Sequence, residues 1–292
     1  MRHRRVCADM LRERTAVLFR HFPAALSGDE EALHQLRVWG RRLRIAVRML
    51  SAKPEGRRAR RVDHSLADIT RTAGAVRDLD VLLGTLDERL RLLPARSAEQ
   101  RKLHRRLADL RRRRRARMVQ TLLDLDVASL RADLNALVRR ACPEISAVAP
   151  RFRALCEREG RKLNEGFTTL GALLDIGALH GLRRRARRVR YAVEIYAQVF
   201  GLPGQPTKPW KSLQDLIGVL HDHHVLSEWF DQQAEADERR RNHAVATSAR
   251  AEAAWARESV QRLHDALMAA DPMTLVRRGL ASVGQTLTLQ SS

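Results

Sequence analysis

The sequence predicts an all-α protein built from two tandem helical-bundle halves, and three observations carry that prediction. The 15 glycines and 9 prolines of the 292 residues fall largely at a few punctuation points, with few runs of β-branched residues between them. Hydrophobic residues make up 44% of the chain, enough to bury a sizeable core. The chain also repeats itself: Leu33 to Val47 returns as Leu179 to Val193, offset by 146 residues, with nine of fifteen positions identical. A repeat at half the chain length points to two equal units.

Taken in order, helix breaks are expected near Pro23 to Asp29, Lys53 to Gly56, Leu93 to Ser97, Cys142 to Pro150, Gly201 to Pro209 and at Asp271-Pro272. Helical segments of roughly 20 to 45 residues lie between them, and none shows strand periodicity. The segment Ala141 to Pro150, with two prolines, is the natural junction. It divides the chain into a repeat over 1–146 and another over 147–292. Each half then holds about four helices, the usual complement of a bundle. A second correspondence supports the duplication: Gly74 to Leu82 matches Gly218 to Leu226 at an offset of 144.

The repeated segment carries two stripes. Leu33, Leu36, Gly40, Leu43, Val47 and Leu50 follow alternating three- and four-residue spacing, which places them on one side of a helix as a core seam. His34, Arg37, Arg41, Arg44 and Arg48 follow the same spacing one residue later, so they form a second stripe turned from the first by about 100°. In the second half Leu179, Leu182, Ala186, Val189 and Val193 build the seam beside His180, Arg183, Arg187 and Arg190, and there the ladder ends in Glu194. A five-cation stripe spans about 21 Å of helix. Such a rail suits an extended anion, because successive guanidiniums can meet successive phosphates.

Composition points the same way. Lys plus Arg number 55 against 34 acidic residues, a formal charge of +21, and only five of the basic residues are lysines. Such self-repulsion disfavours the compact state unless an anion or partner offsets it. Arginine's flat fork matches phosphate oxygens two at a time. Three cysteines, Cys7, Cys142 and Cys156, are expected as free thiols of a reducing cytoplasm. No signal-peptide apolar region and no stretch of membrane-spanning length is expected.

The ladder segments resemble the conserved histidine α-helical domain (CHAD) family, whose first motif is similar to Leu33-His34-Gln35-Leu36-Arg37-Val38 with Arg41-Arg42-Leu43-Arg44. Leu179-His180-Gly181-Leu182-Arg183, with Arg187 to Glu194, resembles its second signature; Val76 to Val81 and Leu213 to Gly218 resemble two further motifs. That resemblance implies two four-helix bundles related by a pseudo-twofold axis around a basic central cavity that binds inorganic polyphosphate without catalysis or cofactor. Residues 34, 37, 41, 44, 180, 183, 187 and 190 would line it, with Arg48 extending the rail. Association with polyphosphate granules follows from that ligand. Arg187 stands where the family often has lysine, and His221 to His224 is richer in histidine than the usual pattern.

Other chemistry ranks lower. His221-Asp222 resembles the metal-binding dipeptide of all-α phosphohydrolases, but the matching residues in the first half are Arg77-Asp78, so no metal-ligand spacing is shared. Asp78, Asp80 and Asp222 are expected to pair buried arginines such as Arg42 and Arg188. Arg42 and Arg188, together with Arg105, Arg112 of the Arg111–Arg115 run, and Lys211, are secondary candidates for the positive surface. Trp39, Trp210, Trp229 and Trp255 are expected to pack rather than stack on bases, which disfavours single-strand recognition. Nucleic acid stays open as a competing ligand of the basic surface. No glycine-rich phosphate loop or nucleophile elbow is present.

Overall fold

The computed structural model describes residues 2–142, 144–170, 175–202 and 207–289. These form α1 (Arg2–Arg20), α2 (Phe22–Ser27), α3 (Glu30–Leu50), α4 (Arg57–Arg91), α5 (Ala98–Leu123) and α6 (Val127–Arg139). A 3-10 turn follows, then α7 (Val148–Leu170), α8 (Ile176–Phe200), α9 (Lys208–Arg239), α10 (His243–Ala269) and α11 (Pro272–Leu289). Among the described residues the only extended pairing is an isolated bridge between Ser51 and Ala141.

The expected breaks at 53–56, 93–97 and 271–272 separate helices as the glycine and proline pattern requires, whereas most of the break expected at 23–29 is itself the short helix α2, with turns at His21 and Gly28-Asp29. Gly28 and Gly201 end α2 and α8 with positive φ, a conformation that costs glycine little. Of the other two breaks, Pro143 and residues 203–206 lie outside the described residues. Three helix ends escaped the pattern. The α5–α6 and α7–α8 boundaries are set by aspartates instead: Asp126 and Asp175 accept hydrogen bonds from the backbone N–H of Ser129 and Ala178. The α9–α10 turn is made by Arg240 to Asn242, with Arg241 at φ 57°.

The helices pack as two rings of four. In the first, α1, α3, α4 and α6 each touch two neighbours round the ring; in the second, α7, α8, α9 and α11 do the same. Both seams read from the sequence are buried: Leu33, Leu36, Leu43, Val47 and Leu50 are at most 1% exposed, and Leu179, Leu182, Ala186, Val189 and Val193 at most 3%. Gly40 belongs to this seam because α4 comes so near that a Cβ there would sit 2.6 Å from Thr70 Cγ2. One apolar core runs through both rings, since α3 also packs on α7 and α8.

Four helices per half is too few. Residues 2–142 hold six α-helices and residues 148–289 five. At 35 residues α4 is about 50 Å long against about 30 Å for α3, so its C-terminal part overhangs the ring. The overhanging ends of α4 and α9 carry Leu82, Leu86, Trp229 and Phe230, and these pack with Leu103 and Leu107 of α5 and Ala249 and Ala253 of α10 into a second core. That core draws on both halves. It is tied by Asp237 of α9, fully buried, which takes the Arg106 guanidinium of α5, and by Glu252 of α10, which accepts from Arg89 of α4 at 3.2 Å and Gln100 of α5 at 2.7 Å.

The tryptophans pack as expected. Trp210 and Trp229 are buried, while Trp39 and Trp255 lie under the guanidiniums of Arg42 and Arg89. The three cysteines are free and buried.

Candidate anion-binding site

Where α3 crosses α8, a half-open cleft of about 130 Å³ is lined by Arg41, Arg44, Ile45 and Arg48 from α3 and Arg184, Arg187, Arg188 and Tyr191 from α8. Six of its eight lining side chains are arginines and none is acidic. The spacing explains this: residues 41, 44, 45 and 48, like 184, 187, 188 and 191, are three or four apart and share a helix face. Three of the six arginines are tempered from behind. Asp63 of α4 takes Arg44 through two hydrogen bonds of 3.0 Å and Arg48 at 3.1 Å. Glu159 of α7, 2% exposed, takes Arg188 at 3.4 Å together with Arg185 and Arg158. Arg41, Arg184 and Arg187 have no carboxylate within ion-pair distance among the described residues.

Arg41 and Arg187 occupy matching places in the two repeats. Burial, then Arg187 and Arg37, pushes the Arg41 guanidinium well below its ordinary value; burial and Arg183 do the same to Arg187. A guanidinium keeps its proton near neutral pH, so the cost stands as buried charge with like-charge repulsion added to it. A bound anion would relieve it.

Above the cleft the ladders meet acids in the same way in both halves. Arg37 pairs with Asp78 at 3.0 Å and Arg183 with Asp222 at 3.4 Å. Each arginine lies against a glycine of the facing helix: a Cβ on Gly74 would stand 3.6 Å from Arg37 Nε, and one on Gly218 3.6 Å from an Arg183 terminal nitrogen. The aspartates were expected to pair Arg42 and Arg188; they take ladder arginines instead, and Asp80 takes Arg111. Arg42 points to the other side, to Glu194 at 3.2 Å and over Trp39. The ladder positions face the overhanging helices, which is where those aspartates stand.

Several ladder groups hold buried, unpaired nitrogens. Arg37 Nε, Arg190 Nε and His34 Nδ1 are buried without a hydrogen-bond partner. Arg190 lies over the Tyr191 ring with its guanidinium carbon 5.0 Å from the centroid, and neither it nor Arg183 lines the cleft. The second ladder thus enters the cleft at Arg187 alone, joined by Arg188 and by Arg184, which the repeat did not single out because its counterpart is Val38. Arg105, exposed on α5, Arg112, paired with Asp109, and Lys211, exposed at the start of α9, lie outside the cleft.

His180 Nδ1 lies 3.1 Å from His221 Nε2, and the other His221 nitrogen faces Arg183 at 3.2 Å. No group of three or more His, Cys, Asp or Glu suited to a metal ion occurs among the described residues. Burial, then Arg77, holds His34 below its ordinary value of 6.5; burial, then His221 and Arg184, does so for His180. A histidine depressed on folding binds fewer protons than its unfolded counterpart. Its contribution is present above the unfolded value and is lost as pH falls through 6.5 toward the folded value. The melting temperature of the ligand-free protein should therefore drop between pH 7.5 and 5.5, and H34Q/H180Q should flatten that slope. An unchanged slope would remove both histidines from the charge balance.

No described helix is long and apolar enough to cross a membrane. A family model described as the CHAD domain matches residues 9–231. No curated protein matches the chain. Among solved structures, the fold is similar to the crystal structure of the CHAD domain from the plant Ricinus communis, with TM-score 0.61 and 22% identity over 96% of this chain and 91% of that one. It is also similar to PptA from Streptomyces chartreusis, with TM-score 0.63 and 17% identity over 88% of this chain and 97% of that one.

Proposed function

The chain belongs to the CHAD domain family, and from that premise we propose that it binds inorganic polyphosphate in the cleft between α3 and α8 and does not turn it over. The observation that carries this reading is the trio Arg41, Arg184 and Arg187, gathered from two helices without a carboxylate partner. A phosphate chain supplies the missing counter-charge at every step of its length. Each guanidinium can take two of its oxygens, and the ladder residues beyond the cleft, Arg37, Arg190 and His34, extend the path along both helices. The two halves then act as pseudo-symmetric jaws on one ligand, and the protein resides in the cytoplasm where polyphosphate granules form.

Polyphosphate and nucleic acid both release counterions on binding, so salt dependence does not separate them. Competition does. Labelled long-chain polyphosphate should stay bound when duplex DNA or RNA is added in about tenfold excess of phosphate. Displacement at equal phosphate concentration would instead make the cleft part of a general nucleic-acid surface.

A further inference from the structure

A second cavity, of about 660 Å³, adjoins the cleft where α3 and α4 meet α7. Ile45, Arg48 and Arg188 line both spaces, so the two share a wall. Their chemistry differs. Buried Val47, Met49, Ala59 and Leu155 give the second cavity an apolar floor, and around it stand Arg60, Arg151, Arg158 and His64 beside the carboxylates Glu55 and Asp63. Bare polyphosphate leaves that floor unused, because its oxygens would lose water against hydrocarbon there and stay with the arginines at the edge. A ligand with a polyanionic end and an uncharged body of ring size fits both spaces at once, and the volume lies within the usual range for small-molecule sites.

We propose that the joined spaces bind a nucleoside polyphosphate, with its phosphates on Arg48, Arg188 and the cleft arginines and its nucleoside in the second cavity. The inference rests on the anion reading of the cleft. Arg48 and Arg188 are suited to the hinge position, since Asp63 and Glu159 hold them where the two spaces meet. Arg60, exposed on the cavity lining and without a carboxylate within ion-pair distance among the described residues, adds a cation near the ligand body.

Calorimetric titration with ATP and with inorganic tripolyphosphate, both in EDTA at fixed ionic strength, tests this. Tripolyphosphate carries at least as much charge, so charge alone favours it. ATP is nevertheless expected to bind about tenfold tighter or more. Ala154→Trp places an indole in the cavity from an exposed helical position, and Ala67→Leu is a gentler filling on α4. Either should bring ATP down to the tripolyphosphate level and leave tripolyphosphate unchanged. Equal affinities in the unsubstituted protein, or an ATP preference that survives both fillings, would overturn the cavity proposal and leave the cleft reading intact. Binding of ATP but not tripolyphosphate would overturn the cleft reading and with it the joined site, leaving a nucleoside pocket alone, and binding of neither would overturn both.

Discussion

Arg41→Gln with Arg187→Gln is expected to weaken polyphosphate binding by about a hundredfold or more while raising the melting temperature of the ligand-free protein. Hydrogen bonds to charged groups contribute about 1.5–3 kcal/mol each, so losing two guanidiniums removes about 3 kcal/mol or more from the complex. In the empty protein both charges are buried and repelled by neighbouring arginines with no carboxylate in ion-pair distance, and glutamine removes that cost. Binding and stability should therefore move in opposite directions, which a general loss of structure cannot imitate. The paired control Arg113→Gln with Arg240→Gln, two exposed arginines outside the cleft, should change affinity by no more than about twofold. Titration and thermal melts at one salt concentration measure both quantities. Equal losses in the two pairs would mean a diffuse basic surface, and a fall in melting temperature would mean that the cleft arginines serve the fold.

Helix content, the two seams and the recurrence of the ladder were legible because each depends on local spacing. A residue on the seam of α3 is buried whatever lies opposite. The site was less legible, because it depends on how far one helix slides along another. Arg183 and Arg190 share a stripe with Arg187 on α8, yet only Arg187 reaches the cleft, with Arg184 and Arg188 brought in by the crossing of α3 over α8. The ion partners were hidden for the same reason: Asp78 and Asp222 were correctly marked as recurrent, but only the packing of α4 and α9 decides which arginine each one meets. The second core was missed because an overhang appears only when the lengths of neighbouring helices are compared.

The two halves also part company at the end of the ladder, where Arg48 has Glu194 as its counterpart. Arg48 lines the cleft, whereas Glu194 turns away to Arg42 at 3.2 Å and lies 3.9 Å from buried Arg14. An acid at that place in the second half would have cancelled cleft charge had it pointed inward. Its outward turn keeps all acidic side chains off the cleft lining and neutralises arginines of the core side instead.

Glu159→Gln is expected to lower the melting temperature of the ligand-free protein by about 3 °C, a destabilisation of about 2 kcal/mol. This carboxylate is 2% exposed and faces Arg158, Arg185 and Arg188; its three partners are 29–55% exposed, so solvent screens part of the effect and the figure sits below that for a fully buried pair. Burial pushes its carboxyl upward, but Arg188 and the hydrogen bonds of Arg158 and Arg185 outweigh that and leave it below the ordinary 4.5. The stabilisation is thus complete above pH 4.5 and is lost as pH falls through the depressed value, so at pH 7 the variant should show the whole deficit. Polyphosphate should then recover more stability in the variant than in the parent, because Arg188 reaches the cleft and the anion replaces the charge that Glu159 supplied. Thermal melts with and without long-chain polyphosphate measure the difference. A smaller ligand-induced shift in the variant would mean that Glu159 acts chiefly by holding Arg188 in position, and that the cleft needs this geometry more than it needs additional charge.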